Sequence, residues 1–394
     1  MHVASGADGA STFEFRAATR LVVGPGTIGR LGELACGLGA TRVLVASDPG
    51  VARAGHTAAG LAALAAAGIA TSVFDRFGEN PTTEHVEAGT ALARAFAPDL
   101  IVGLGGGSSM DCAKGINFLL SCGGRMQDYR GRNTATGPML PSIAVPTTAG
   151  TGSETQSFAL ITDAATGMKM ACGDPRAAFR VAILDVALTL TQPPRVAVLT
   201  GIDAVSHALE SHVSRAATPA SRIFSREAWR LLAGNLPRVF ADGGDAAARA
   251  AVQLGAAWAG MAIENAMLGA AHALANPLTA AHHVVHGHAV GLMLPHVLRF
   301  NAAACGPAYE ELAADLPADP APPGASAAPA AARIADWVTG LLVQGRLATT
   351  LSAAGIREPD VAALSRAAAG QWTGGFNPRP VDAATLAGLY EAAR

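Results

Sequence analysis

DLIVGLGGGSSMDCAKGINFLL (residues 99–120) passes from branched apolar side chains through three consecutive glycines into a helical pattern carrying Asp111 and Lys114. A strand that ends in Gly105-Gly106-Gly107-Ser108 and feeds a helix offers free N–H groups and the positive end of a helix dipole to an anion. The glycines let the backbone approach it closely, and Ser108 can cap the helix. Four further short runs, RLVV (20–23), TRVLVAS (41–47), ATSVFD (70–75) and PSIAVP (141–146), alternate with Ala/Leu-rich helical stretches such as 51–68 and 84–96. That alternation predicts a parallel sheet covered on both faces. Around Thr191-Gln192-Pro193-Pro194 the β-branched runs stop, and only long helical patterns follow. The expected organisation is an α/β nucleotide-binding domain over 1–194 and an all-α domain over 195–394. The Pro/Ala-rich segment 316–330 is expected to be a solvated loop.

The 394 residues suffice for two domains of ordinary size. With 28 Lys plus Arg against 30 Asp plus Glu, the net charge of −2 provides no basic field for a phosphate backbone, so nucleic-acid binding is excluded as a reading. No run is long and apolar enough for a membrane span, and the first residues lack the pattern of an export signal. Five scattered cysteines without a CxxC fit a reduced, cytoplasmic protein.

Two other turns compete for or complete an anion site. Gly24-Pro25-Gly26-Thr27-Ile28-Gly29 is a GxGxxG between a strand and a helix, and Asp48 ends the next strand. On spacing this is a dinucleotide fingerprint with Asp48 on a ribose hydroxyl. The same glycines also suit plain strand-to-helix packing, and Pro25 removes one N–H. The third turn, PTTAGTGSE (146–154), offers the hydroxyls of Thr147, Thr148 and Ser153. Of the first two turns, 105–108 is the favoured pyrophosphate site.

Six of 11 histidines (272, 282, 283, 286, 288, 296) crowd into one segment, and GIDAVSHALES (201–211) places Asp203 and His207 at i, i+4 on one helix face. Such a pair is also an ordinary surface interaction. His272 and His286 would stand about 21 Å apart on one continuous helix. Pro277 is expected to break the segment and let the chain fold back. One carboxylate and three imidazoles without a nearby thiol suit Fe(II) or Zn(II).

Taken together in this order, GGGSSMDCAK, PTTAGTGSE, GIDAVSHALES, the GAAHALAN…HGHAVGLMLPHVLRFN block and FNPRPVDAATLAGLY resemble the iron-containing (group III) alcohol dehydrogenase family through nearly the whole chain. The resemblance implies a Rossmann-like N-terminal domain and a helical C-terminal domain, the dehydroquinate synthase-like fold, with NAD and metal facing each other across the cleft. It assigns metal ligation to Asp203, His207, His272 and His286. The pyrophosphate falls on Gly105, Gly106, Gly107 and Ser108. Cofactor contacts fall on Asp111, in the helix after 105–108, and on Thr147, Thr148 and Ser153, and Asp48 is the acid favouring NAD over NADP. Asn80 and Lys169 match further cofactor-side positions, and Phe158 and Ile263 match the walls of an apolar substrate pocket. One departure stands out. Four residues after His272, where the family carries a proton-relaying histidine, this chain has Asn276. His282, His283 or His288 is expected to substitute, or water and ribose hydroxyls act alone.

The function so implied is NAD(H)-linked hydride transfer on a small alcohol or aldehyde, in a homodimer or larger homo-oligomer. A hydroxyacid–oxoacid transhydrogenase or a maleylacetate reductase-like enzyme is the alternative. A dehydroquinate synthase-like lyase would need a basic pocket, yet residues 195–300 contain no lysine. A degenerate cofactor-binding protein would gain nothing from a buried Asp among imidazoles.

Overall fold

The computed structural model of the chain describes residues 12–317 and 328–394. Most of the expected loop 316–330, and the start of the chain, lie outside them.

All five expected strands form: β1 (Arg20–Val23), β2 (Arg42–Ala46), β3 (Ala70–Phe74), β4 (Leu100–Gly105) and, after the two-residue β5 (Gly131–Arg132), β6 (Ser142–Pro146). Besides β5, three more were not anticipated: β7 (Phe158–Thr162), β8 (Lys169–Gly173) and β9 (Val181–Leu184). Six strands make one parallel sheet in the order β1-β9-β6-β4-β2-β3. Every residue of β4 is buried, as expected of a central parallel strand with both faces covered. Leu44, Ile101 and Ala144 face one apolar layer, and Val43, Val102 and Ile143 face the other. The layers are supplied by α1 (Leu31–Gly37), α2 (Pro49–Arg53), α3 (His56–Ala66), α4 (Thr83–Phe96) and α5 (Gly107–Cys122). A small sheet, β5-β8-β7, pairs β7 with β8 antiparallel and packs on α5.

After the short α6 (Val186–Thr189), the described chain contains helices and no further strand: α7 (Pro194–Val213), α8 (Pro219–Ala241), α9 (Ala246–Ala266), α10 (Ala270–His282), α11 (His286–Ala314), α12 (Ala330–Gln344), α13 (Val361–Ala369) and α14 (Ala383–Ala392). Pro194 opens α7, where its missing N–H costs nothing. Their core is built around the buried Trp229, whose indole N–H donates to the Leu312 carbonyl at 2.7 Å. One expectation is corrected here. Pro277 does not break the histidine segment, because α10 runs through it to His282. The chain turns instead at His283, in the left-handed region at φ 56°, and α11 begins at His286. No helix among the described residues is long and apolar enough to cross a membrane.

Candidate active site

The anion side is built at the end of β4. Gly105 has φ +150°, and a Cβ there would lie 2.2 Å from the Ser109 Oγ; one on Gly107 would lie 2.8 Å from the Thr151 methyl. Both positions therefore need glycine. The N–H groups of Gly107 and Ser108 open α5 and have no hydrogen-bond partner among the described residues. Ser108 is not the cap: Gly106 holds that position, and the Ser108 hydroxyl accepts the Asn80 N–H at 3.2 Å. Asn80 stands at φ 53° and accepts a hydrogen bond from Lys169 Nζ at 3.1 Å. Three expected cofactor residues thus meet at one rim. Asp48 caps α2 with one oxygen, accepting from Gly50 N–H at 2.8 Å, and accepts the Ser109 hydroxyl with the other at 3.2 Å. Thr147 donates its N–H to the Gly105 carbonyl at 2.9 Å, and the Thr148 side chain lies against Gly106.

Ser153 and Asp111 are placed otherwise than expected. The buried Ser153 hydroxyl donates to Asp111 at 2.8 Å and accepts from Lys114 Nζ at 2.9 Å. Lys114 also donates to the Ser153 and Phe158 carbonyls. This interior network supports the turn from beneath, and burial lowers Lys114 to about 8 against the pull of Asp111. Thr151, two residues earlier, is the hydroxyl residue beside Gly107.

The other side is a cluster on three helices. Asp203 and His207 project from the middle of α7, His272 from the first turn of α10, and His286 from the first residue of α11. The Asp203 Oδ1 lies 3.4 Å from His207 Nε2, 3.5 Å from His272 Nε2 and 3.7 Å from His286 Nε2. These separations are long for hydrogen bonds. They match the edge of a tetrahedron, roughly 3.4 Å, around an ion with ligand bonds near 2.1 Å. Asp203 Oδ1 and His272 Nε2 are buried with no hydrogen-bond partner among the described residues. Such orphaned groups are costly unless a cation joins them. Asp203, His207 and His272 bring three ligand atoms within 4.8 Å of one another, with His286 reaching the group through Asp203 alone, so this donor set could hold a divalent metal.

The outer nitrogens are engaged. His207 Nδ1 meets the Gly150 carbonyl at 3.3 Å. Gly150 packs so tightly on α7 that a Cβ would lie 2.4 Å from the Thr200 carbonyl oxygen. His272 Nδ1 is bonded to the buried Glu210. Burial opposes charge on all four residues. It prevails at His286, which falls to about 3, and at His207, also lowered. At His272 the Glu210 charge and the facing Asp203 overcome burial and raise the ring to about 9. The surrounding imidazoles likewise overcome burial to hold Asp203 well below the ordinary carboxyl range.

Glu210 escaped the reading of the sequence although it stands within GIDAVSHALES. Positions 203, 207 and 210 are i, i+4 and i+7, one helix face. Phe158 and Ile263 do come together, buried beside Met267. The Trp372 ring lies 5.6 Å from Phe158 and 5.9 Å from Phe376. Asn276 donates to Gln371 Oε1 at 3.0 Å. The suggested substitutes for a relay at Asn276 are not gathered at the cluster. His282 and His283 are exposed at the end of α10, with His282 about 15 Å along that helix from His272. His288 is bonded to the Ala348 carbonyl at 2.9 Å.

The profile of iron-containing alcohol dehydrogenase matches residues 18–186, and that of the Fe-containing alcohol dehydrogenase family, C-terminal, matches 197–394. The chain belongs to the iron-containing alcohol dehydrogenase family. Among similar members, sulfoacetaldehyde reductase of Bilophila wadsworthia is 33% identical over 374 residues, covering 95% of this chain and 97% of its own. The crystal structure of a 1,3-propanediol oxidoreductase superposes with a TM-score of 0.92 at 32% identity, covering 97% of this chain and 100% of its own. Sulfoacetaldehyde reductase from Bifidobacterium kashiwanohense, solved in complex with NAD+, superposes at 0.86 with 27% identity, covering 97% and 98%. The family architecture, a parallel sheet followed by a helical region, is the one described above.

Proposed function

We propose that the protein is a metal-dependent, NAD(H)-linked oxidoreductase that interconverts a small alcohol and its aldehyde, with residues 1–194 serving the cofactor and 195–394 the metal. The reading is carried by the convergence of three Nε2 atoms on Asp203 Oδ1 at 3.4, 3.5 and 3.7 Å, two of the four donors being buried and unpartnered. Asp203, His207, His272 and His286 would hold Fe(II), and the same donors would accept Zn(II). When bound, the metal supplies Lewis acidity toward a substrate oxygen and the nicotinamide supplies or accepts the hydride.

The chain's own residues bind, orient and shield. The turn 105–108 and the start of α5 take the pyrophosphate, and Thr147 and Thr148 flank it. Asn80 and Lys169 hold the rim, and Asp48 meets the ribose and disfavours a 2′-phosphate. Asp111 and Ser153 act from beneath through Lys114. Phe158 and Ile263 wall the substrate end and exclude water. Asn276 cannot titrate, so it orients Gln371 and the aromatic segment behind it, and the alcohol proton leaves through water. The unpaired cysteines agree with a reducing, cytoplasmic setting.

Metal analysis of protein purified without oxygen tests the reading, beside His272→Ala. About one iron or zinc per chain, lost in the variant while NADH binding persists, is the expected result, followed by NADH oxidation on an aldehyde panel. A metal-free wild-type protein overturns it.

A further inference from the structure

We infer that Glu210 is a positioning residue for the metal site: it fixes the face that His272 presents. This deepens the proposed function and rests on it.

Glu210 is buried, and its two oxygens have separate tasks. One is bonded to His272 Nδ1, and the other accepts the Ala271 N–H at 2.7 Å. The second task exists because Gly269, at the N-cap of α10, has no side chain to cap it. A Cβ on Gly269 would come within 2.9 Å of that Glu210 oxygen. Asn377 serves the adjoining amide, accepting the Ala270 N–H at 3.2 Å, and is itself held by Asn301 at 2.8 Å. Glu210 therefore places a negative charge at a helix N-terminus, where it is favoured, and ties His272 to that same point.

With Glu210 holding the Nδ1 proton, Nε2, the atom facing Asp203, is the nitrogen left to give up its proton and ligate a metal. A carboxylate behind a ligating imidazole also raises its basicity. Among the three histidines this backing is peculiar to His272: His207 meets a neutral carbonyl, and no such bond is present on His286 among the described residues.

Glu210→Gln separates this role from helix capping. Its amide oxygen can still accept from Ala271, but its NH2 then faces His272 Nδ1. The ring must turn to the other tautomer, with a proton on Nε2. Zn2+ affinity, measured by competition with a chelator on the metal-free full chain, should weaken roughly 10- to 100-fold. NADH affinity should stay within twofold. Glu210→Asp keeps a carboxylate and should recover part of the loss. Zn2+ affinity of Glu210→Gln within twofold of wild type, whatever the melting temperature, overturns the inference. So does equal affinity of the Gln and Asp variants. Failure of the wild-type protein to bind Zn2+ or Fe2+ overturns the proposed function as well, which distinguishes the two.

Discussion

Gly24-Pro25-Gly26-Thr27-Ile28-Gly29 and Gly105-Gly106-Gly107-Ser108 both follow a strand of one parallel sheet and lead into helical turns, but their N–H groups have opposite fates. In the first, every available N–H is spent internally. Gly24 donates to the Leu184 carbonyl, Thr27 to Gly24 and Gly29 to Gly26. Gly26 and Ile28 donate to the buried Asp185 carboxylate at 3.0 and 3.1 Å. Asp185 occupies the place a phosphate would take. In the second turn, the Gly107 and Ser108 N–H groups stay free at the start of a 16-residue helix. A glycine pattern thus reports a tight turn in both places. What makes an anion site is whether the protein has already supplied the anion.

The largest effect that would break this contrast lies at Gly105. Gly105→Ala forces φ +150° on a side-chain-bearing residue and drives its Cβ into Ser109 Oγ at 2.2 Å. Backbone strain and overpacking each cost about 1–3 kcal/mol, and the turn must deform. NADH affinity, read by fluorescence titration, should fall about a hundredfold, and unchanged affinity would show that this turn does not carry the pyrophosphate. Next is Asp185→Ala. It removes a carboxylate that receives three N–H groups, including Ala187 at 3.0 Å. Partly exposed amides can recover water, so stability should drop by about 2–3 kcal/mol. Denaturant titration reads that loss, and NADH affinity of the folded variant should stay within twofold.

The same contrast explains what was legible in the sequence. Strands β1 to β4 and β6 stood out because Val, Ile and Leu runs end in turn residues. The four-residue β9 and the β7–β8 pair did not, since Ala, Met and Cys dilute their pattern, and β9 also pairs with β1, far away in sequence. Asp203, His207, His272 and His286 were named from residue types and family resemblance, but their convergence depends on a turn at His283 rather than at Pro277. One missing i→i−4 bond inside a packed helix was tolerated. Ser153 and Glu210 show the harder limit. Each sits in a recognisable motif, yet the destination of its side chain depends on a partner 42 or 62 residues away. Asp185 is a further case: nothing beside it in sequence announces that it fills the GxGxxG turn.

The smallest expected effect gives the sharpest separation of the two turns. Gly26 stands at φ +75° with nothing within 4 Å of an added Cβ. Gly26→Ala therefore meets no clash and carries only the left-handed backbone penalty, about 1 kcal/mol. That loss should appear in a denaturation midpoint, with NADH affinity indistinguishable from wild type. If Gly26→Ala weakened NADH binding as much as Gly105→Ala, the first turn would be the one facing the cofactor. Asp185 would then have to leave its three amides when the cofactor arrives. A stability loss confined to the first turn and an affinity loss confined to the second leave the packing and binding roles where the hydrogen bonds place them.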